Sequence, residues 1–176
     1  MLIGFMATGK TTVGRLAAAE LGRTFVDLDQ LVEEEAGTSI AELFRTAGEP
    51  AFRRAEALAL RRALAMEDVV VATGGGAACR EDNLGAMLAG GLVVALSANP
   101  DEVLRRTGGA SGRPLLDGAG DPLALASRLL REREPFYARA HLRVDTVGRR
   151  PEEVAAEVVA AVRLQEPDDD GGRGGS

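Results

Sequence analysis

The sequence is short of several residue types, and each shortage excludes a class of protein or site. It has no run of about 18 apolar residues, so we expect no membrane-spanning helix and no membrane partner. We also expect no signal peptide or anchor ahead of the first motif. The one cysteine, Cys79, cannot form an internal disulfide, which indicates a reducing cytoplasm, and we predict a buried, unreactive thiol. The one histidine, His141, lies at a predicted strand entry and is not a catalytic candidate.

Positive charge is also in short supply. The chain has 27 aspartates and glutamates against 21 lysines and arginines, which gives a net charge of −6. No basic stripe is present, and this argues against nucleic acid as a partner. Part of the negative charge lies in residues 166–176, which contain no apolar residue to bury. We therefore predict that residues 1–165 form one domain and that residues 166–176 are a disordered acidic, glycine-rich tail.

Lysine is almost absent, because only Lys10 among the 21 basic side chains is a lysine. It lies in residues 4–11, G-F-M-A-T-G-K-T, which match the phosphate-binding loop pattern G-x-x-x-x-G-K-[ST]. A compact ammonium on a flexible stem is suited to reach the β- and γ-phosphates of a nucleotide, where a planar guanidinium is a poor replacement. The sequence therefore predicts a site for a nucleoside triphosphate.

The neighbours of Lys10 supply the rest of this predicted site. The two glycines allow a tight turn that brings backbone N–H groups to the phosphates, and the N-terminus of the following helix favours negative charge. The Thr11 hydroxyl is a candidate ligand for Mg²⁺. We predict nucleotide contacts from Gly4, Ala7, Thr8, Gly9, Lys10, Thr11 and Thr12. Because only three residues precede the loop, we expect a first strand shorter than usual, which would weaken the fold.

Strand and helix patterns alternate along the chain, which is typical of an α/β fold with helices on both sides of a parallel sheet. We predict strands at residues 1–3, 24–27, 69–72, 92–96 and 142–145. Residues 39–42 form a capping box, and Gly48 is predicted to end the helix that begins there. Proline marks the first turn of four further helices, at Pro50, Pro100, Pro122 and Pro151.

Residues 108–120, G-G-A-S-G-R-P-L-L-D-G-A-G, interrupt this alternation. The segment is too rich in glycine to hold one rigid form, yet it carries Arg113 between two predicted helices. We predict a mobile lid that closes over bound phosphates. A flexible surface loop is the alternative.

Two carboxylates, Asp27 and Asp29, end the second predicted strand. Strand alternation predicts that both lie on one side, at the edge where open α/β sheets bind ligands. One is a candidate to hold Mg²⁺ through its waters, and the other to accept a hydrogen bond from a substrate hydroxyl. The alternative is a polar strand end that caps the next helix.

Three consecutive glycines, at residues 74–76, follow the third predicted strand. Such a run indicates that something approaches the backbone closely, and a small ligand is one candidate. The chain also offers Arg53 and Arg133 for an anionic substrate, because arginine binds carboxylates in a bidentate manner. Taken singly, such arginines are typically surface residues in weak ion pairs, so composition alone does not choose among them.

Together these motifs resemble those of the shikimate kinase family, a branch of the phosphate-binding-loop kinases that is related to the nucleoside monophosphate kinases. The resemblance covers residues 1–164. It rests on six segments in order, which are residues 4–12, 27–29, 52–56 (F-R-R-A-E), 74–76, 113–116 (R-P-L-L) and 133–137 (R-E-P-F-Y). It implies a three-layer kinase fold with a five-stranded parallel sheet, a helical substrate-binding region and a mobile lid.

The resemblance also implies roles for individual residues. The catalytic candidates are Lys10 and Arg113, which would neutralise the transferring phosphoryl group, and Asp29, which would bind the reacting hydroxyl as its base. Thr11 and Asp27 would hold Mg²⁺. The substrate would be bound by Asp29, Arg53, Gly74, Gly75, Gly76 and Arg133. Arg106 and Pro114 would flank the adenine, with Arg149 as a further contact, and Arg113 would contact the nucleotide at its transferring phosphate.

The implied reaction is ATP-dependent phosphorylation of the 3-hydroxyl of shikimate, a step in chorismate and aromatic amino acid biosynthesis, carried out by a monomer. One alternative is another small-molecule kinase, such as a gluconate or nucleotide kinase, but these lack the joint pattern in the predicted acceptor site. The other is a catalytically silent relative that only binds nucleotide or shikimate. Such relatives usually lose the loop lysine or the lid arginine, and this chain has both.

Overall fold

The computed structural model describes residues 1–108 and 121–165, which contain five strands, seven α-helices and one short 3₁₀ helix (Ala77–Cys79). The strands are β1 (Leu2–Gly4), β2 (Thr24–Asp27), β3 (Val69–Ala72), β4 (Val94–Ser97) and β5 (Leu142–Asp145). The helices are α1 (Lys10–Leu21), α2 (Leu28–Ala36), α3 (Ile40–Leu64), α4 (Glu81–Gly90), α5 (Pro100–Arg106), α6 (Pro122–Tyr137) and α7 (Pro151–Arg163). The predicted tail and most of the predicted lid, residues 109–120, lie outside the described residues.

The five strands form one parallel sheet in the order β2-β3-β1-β4-β5, which confirms the predicted fold class. The first strand is short, as predicted, with three residues that are all buried. It is nevertheless central, because β3 and β4 pair with it on either side. Since all strands run in the same direction, their carboxyl ends meet at one edge, which is where sheets of this kind bind ligands.

Alternation along the strands divides the core between the two faces of the sheet. On β1, Leu2 belongs to the cluster beneath α1 and α7, whereas Ile3 belongs to the cluster on the opposite face. On β4, Leu96 and Ala95 divide in the same way. A parallel sheet buried on both faces needs apolar side chains at consecutive positions, and the sequence supplies them. The sheet therefore holds the first loop rigidly from both sides.

The predicted helix ends are largely correct. Ser39 accepts a hydrogen bond from the Glu42 N–H at 3.2 Å, as the capping box requires. Gly48, at φ 75°, breaks the helical path within α3, and the helix resumes through Pro50. Two strands are shifted by one or two residues, because β1 spans Leu2–Gly4 rather than residues 1–3 and β4 spans Val94–Ser97 rather than residues 92–96. Within the described ranges, no helix combines the length and apolar character needed to cross a membrane.

Candidate active site

The connection between β1 and α1 forms the predicted phosphate-binding loop. At Gly4, φ is 138° and a Cβ atom would collide with the Leu96 carbonyl oxygen, so only glycine fits there. Gly9 and Ala7 also lie in the left-handed region, with φ of 93° and 58°. This conformation is uncommon for alanine and marks a tightly constrained turn. The loop ends directly at the N-terminus of α1, where backbone N–H groups and the helix dipole favour a phosphate.

The side chains of the loop are held inward. Lys10 is 9% exposed, and its Nζ donates to the Phe5 carbonyl oxygen at 2.7 Å. The Thr8 hydroxyl is buried and donates to the same oxygen at 2.8 Å. These two bonds close the turn over the Phe5 carbonyl. The ammonium therefore lies within the loop, and its long, flexible stem suits it to reach a phosphate.

The two predicted metal residues lie side by side. The Thr11 hydroxyl donates to Asp27 Oδ2 at 3.0 Å, across the gap between α1 and β2. A hydroxyl and a carboxylate at a helix N-terminus are oxygen donors of the kind that Mg²⁺ accepts alongside nucleotide phosphates. No cluster of three or more His, Cys, Asp or Glu side chains occurs among the described residues, so a cage made of protein groups alone is not present there. The donor set fits a magnesium ion that is shared with a nucleotide.

The structure corrects the predicted placement of Asp29. Strand β2 ends at Asp27, and Asp29 lies in the first turn of α2 rather than on the strand. The helix begins because Asp27 Oδ1 accepts a hydrogen bond from the Asp29 N–H at 3.1 Å. Asp27 therefore acts as an N-cap, which the strand interpretation treated only as an alternative. The two carboxylates are adjacent through the helix cap and not through strand alternation.

The three glycines after β3 lie against three of the predicted substrate-binding side chains. A Cβ at Gly74 would come within 2.6 Å of Asp29 Oδ1. One at Gly75 would lie 3.4 Å from Arg133 Nη1, and one at Gly76 would lie 3.2 Å from Arg53 Nη1. The prediction of close approach is confirmed, and the approaching groups are side chains from α2, α3 and α6. The structure thus brings together all six predicted substrate residues.

Arg53 is held between two glutamates on α3. Its Nη1 donates to Glu56 Oε2 at 3.0 Å, and its Nε and Nη2 donate to Glu49 Oε1 at 3.1 and 3.0 Å. The Glu56 side chain is 1% exposed, and this burial raises the pKa of its carboxyl group despite the arginine beside it. Glu56 lies in the motif of residues 52–56, but sequence reasoning assigned no role to it, and it missed Glu49. The i,i+3 and i,i+4 spacings on a helix were the available signal.

Arg133 reaches the glycines from α6. Its Nη1 donates to the Gly75 carbonyl oxygen at 3.2 Å, and its guanidinium lies 5.2 Å from the centre of the buried Phe5 ring. The Tyr137 hydroxyl donates to the same Gly75 oxygen at 2.6 Å. Tyr137 belongs to the motif of residues 133–137, but no role was predicted for it. Cys79 lies nearby and is half-buried rather than buried as predicted, and burial raises the pKa of its thiol.

A cavity of about 510 Å³ lies beside the phosphate-binding loop, and Arg106 and Arg149 are among the residues that line it. Arg106 donates to the Ala7 carbonyl oxygen at 3.2 Å and to the Thr146 carbonyl oxygen at 2.7 Å, which orients its guanidinium plane at the rim. Glu102 accepts from Arg106 Nε at 2.6 Å. Sequence reasoning missed both Glu102 and Thr146.

The other predicted nucleotide contacts divide into two groups. Arg149 is held by Glu157 at 2.7 Å and lines the same cavity as Arg106. Arg113 and Pro114 lie outside the described residues, so their roles stay predictions. His141 accepts a hydrogen bond from the Val93 N–H at 3.0 Å, which is a structural role, as expected.

Comparison with known proteins agrees with this geometry. The family model described as shikimate kinase matches residues 6–163. A shikimate kinase of Symbiobacterium thermophilum is 46% identical over 169 residues, which are 94% of this chain and 95% of that protein. A shikimate kinase of Geobacter sulfurreducens is also 46% identical, over 93% of this chain and 90% of that protein.

Solved structures resemble this chain to different degrees. A structure of shikimate kinase from Acinetobacter baumannii in complex with shikimate has a TM-score of 0.86 at 34% identity and covers 94% of this chain and 92% of that one. A gluconokinase structure from Sinorhizobium meliloti has a TM-score of 0.58 at 18% identity, covers 93% of this chain and 90% of that one, and shows a shared fold alone. On the sequence matches and the assembled site together, the chain belongs to the shikimate kinase family.

Proposed function

We propose that this protein transfers the γ-phosphoryl group of ATP to the 3-hydroxyl of shikimate, giving shikimate 3-phosphate and ADP. The observation that carries the proposal is the packing of Asp29, Arg53 and Arg133 against the three glycines, at the same sheet edge as Lys10. One end of this edge suits a triphosphate, and the other suits a small hydroxylated carboxylate. Family membership supports the same reaction.

The acceptor is oriented by charge. Arg53 and Arg133 bind its carboxylate, and the backbone N–H groups of the glycine run add neutral donors. Asp29, half-buried at the start of α2, accepts a hydrogen bond from the 3-hydroxyl. Holding the hydroxyl oxygen near the γ-phosphorus in this way accounts for much of the expected acceleration, because phosphoryl transfer depends mainly on positioning and charge stabilisation.

The bond changes are simple. The 3-hydroxyl oxygen forms a bond to the γ-phosphorus, its proton passes to Asp29, and the bond from phosphorus to the bridging oxygen of ADP breaks. Lys10 stabilises the charge on the β- and γ-phosphate oxygens during this transfer. Thr11 and Asp27 would hold Mg²⁺, which would supply charge neutralisation for the phosphates. Arg113 adds a second cation from the predicted lid, and closure of residues 108–120 keeps water away from the phosphoryl group.

Several broader expectations belong to the same proposal. The protein is a cytoplasmic monomer, and residues 1–165 form its one domain. The adenine lies beside Arg106 and Arg149 in the cavity next to the loop. Sedimentation of the purified protein with and without substrates tests the monomer, and proteolysis that leaves residues 1–165 intact tests the domain limit.

The experiment that tests the reaction is ADP release from ATP and Mg²⁺ with shikimate, gluconate, AMP or no acceptor. Release that requires shikimate and is lost in Lys10→Ala is the expected result. Release with gluconate or AMP instead would leave the nucleotide site standing and overturn the acceptor assignment. A folded protein that binds ATP but releases no ADP with any acceptor would favour the binding-only alternative.

A further inference from the structure

Tyr137 is the last residue of α6, and its side chain is directed at the glycine run after β3. The side chain is 5% exposed, and its hydroxyl donates to the Gly75 carbonyl oxygen at 2.6 Å. The mechanism above assigns it no contact with either substrate. A short hydrogen bond from a buried hydroxyl to a glycine carbonyl requires an explanation, because this carbonyl lies in the most flexible type of backbone.

The Gly75 carbonyl is held from one side by more than one group. Arg133 Nη1 donates to it at 3.2 Å, and the Cys79 sulfur lies 3.9 Å away. In a planar trans peptide, the N–H of the next residue points in the opposite direction from the carbonyl. Fixing the Gly75 oxygen therefore also fixes the direction of the Gly76 N–H, which points away from Tyr137.

The opposite side of this peptide is where the acceptor would bind. A Cβ on Gly76 would lie 3.2 Å from Arg53 Nη1, so Arg53 lies beside the residue that carries this N–H. Among residues 1–108 and 121–165, no acceptor pairs with the Gly76 N–H. A carboxylate placed against Arg53 would therefore meet an N–H whose direction is already set.

We propose that Tyr137 is a positioning residue, whose hydroxyl holds the Gly75–Gly76 peptide in the orientation that presents the Gly76 N–H to the carboxylate of the acceptor. This inference rests on the proposed function. Without the hydroxyl, three consecutive glycines allow the peptide plane to rotate, and the carboxylate loses a preorganised donor. Burial raises the pKa of Tyr137, so the hydroxyl keeps its proton and stays a donor at neutral pH.

The variant Tyr137→Phe tests the proposal, because it keeps the ring and removes only the hydroxyl. We expect the KM for shikimate to rise about threefold to tenfold, which is the effect of one lost hydrogen bond, with kcat and the KM for ATP nearly unchanged. The matched control is Phe136→Leu, which alters the half-buried neighbour on α6 without touching Gly75. We expect this control to lower Tm and to leave the KM for shikimate unchanged.

A second acceptor separates positioning from a general loosening of the pocket. The methyl ester of shikimate lacks the negative charge that the Gly76 N–H and the arginines recognise. In wild type, kcat/KM should favour the acid strongly, and in Tyr137→Phe this preference should shrink because only the acid loses a contact. Equal losses for acid and ester, or an unchanged KM in a folded variant, would overturn the proposal.

A measurement on the chain without a substitution tests the proposal even where Tyr137→Phe folds poorly. The chain has one tyrosine, so growth with 3-fluorotyrosine labels Tyr137 alone and gives one ¹⁹F signal. Saturation with shikimate should shift this signal, and saturation with the methyl ester should shift it less. No shift with shikimate in an active, labelled protein would refute the positioning role. Failure of the unlabelled wild type to phosphorylate shikimate would instead refute the proposed function, and this inference with it.

Discussion

The two ends of the candidate site are built in different ways. The nucleotide end comes from one continuous segment, residues 4–12, whose backbone turns through Gly4 and Gly9 and continues directly into α1. The acceptor end is assembled from side chains on α2, α3 and α6 that converge on the three glycines after β3. The first end presents backbone N–H groups and one lysine, whereas the second presents two arginines and a carboxylate from separate helices.

This difference affects how each end withstands change. The loop of residues 4–12 acts through its backbone, so it should keep its shape when one exposed side chain is changed. Catalysis should be lost mainly when its single cation, Lys10, is removed. The acceptor end relies on pairs such as Arg53 with Glu56, in which each partner satisfies the other. Removing one member of a buried pair leaves the other uncompensated, so stability and binding change together.

The largest effect is expected at the nucleotide end, in Lys10→Ala. The ammonium is the one lysine in the chain, and nothing else in residues 4–12 carries positive charge. We expect kcat to fall about a hundredfold or more, because a preorganised charge-stabilising donor is lost, while shikimate binding stays intact. Steady-state kinetics and shikimate titration by calorimetry measure the two quantities separately.

Lys10→Arg is the matched control for charge alone. The guanidinium keeps the charge but has a different shape, so we expect it to recover little of the lost turnover. Wild-type turnover in Lys10→Ala would contradict the role of the loop in catalysis. Full recovery in Lys10→Arg would mean that charge matters there and geometry does not.

The next largest effect is expected at the acceptor end, in Arg53→Ala. We expect the KM for shikimate to rise about tenfold to a hundredfold, as for the loss of a charged hydrogen bond, with a smaller change in kcat. Glu56, which is 1% exposed, would lose its partner, so Tm should fall as well. Kinetics and thermal unfolding of the same preparation measure both.

The double variant Arg53→Gln, Glu56→Gln separates the two consequences. It replaces the charged pair with two neutral amides and leaves no carboxylate without its partner, so we expect Tm to recover relative to Arg53→Ala while the KM for shikimate stays high. Recovery of both quantities would show that Arg53 acts only through stability. A Tm in Arg53→Ala equal to that of wild type would show that Glu56 finds another partner or water.

Smaller effects are expected from adding one methyl group at the glycine run. In Gly74→Ala the new Cβ would displace Asp29 Oδ1, which lies 2.6 Å from that position, so we expect kcat to fall. In Gly76→Ala the new Cβ would press on Arg53 Nη1 at 3.2 Å, so we expect mainly a higher KM for shikimate. In both cases the displaced atom is the end of a side chain, so Tm should change little.

Gly85→Ala is the matched control, because nothing lies within 4 Å of a Cβ at that position of α4. We expect unchanged kinetics and a gain of about 0.5–1 kcal/mol in the free energy of unfolding, since alanine favours a helix over glycine. The same kinetic change in Gly74→Ala and Gly76→Ala would contradict the division of roles between Asp29 and Arg53.

The contrast between the two ends also explains what the sequence could predict. The sheet, its strands and the loop around Lys10 depend on local pattern, so alternation and spacing found them. The glycine run also indicated that other groups approach the backbone closely, but it did not identify those groups. The predicted placement of Asp29 on the strand was wrong. Asp27 both ends β2 and caps α2, and the sequence of so short a segment does not distinguish a longer strand from the start of a helix.

The residues that sequence reasoning missed act through tertiary contacts. Tyr137 meets Gly75 across 62 positions of sequence, and Arg106 meets Thr146 across 40. No spacing rule connects such pairs, because the sheet topology alone decides which loops become neighbours. Glu49 and Glu56 are different, since they lie at helical spacing from Arg53 and could have been identified as its partners.

The smallest effect is expected for Glu102→Gln, at the outer rim of the nucleotide end. Hydrogen bonds from Arg105 and then Arg106 lower the pKa of Glu102 to about 2. Because the folded-state pKa lies below the ordinary value, this carboxylate stabilises the fold at neutral pH, and the contribution is lost as pH falls from about 4.5 towards 2. The Tm difference between wild type and variant should therefore be present at pH 7 and shrink below pH 4.5.

In kinetics, Glu102→Gln should change only the KM for ATP. Arg106 keeps its bonds to Thr146 and Ala7, so its guanidinium loosens without leaving the cavity. We expect the KM for ATP to rise about twofold, as for the loss of a weak surface ion pair, with the KM for shikimate unchanged. A rise in the KM for shikimate would show that the nucleotide end and the acceptor end are coupled through α5. The two ends would then not bind their substrates independently, as their separate construction implies.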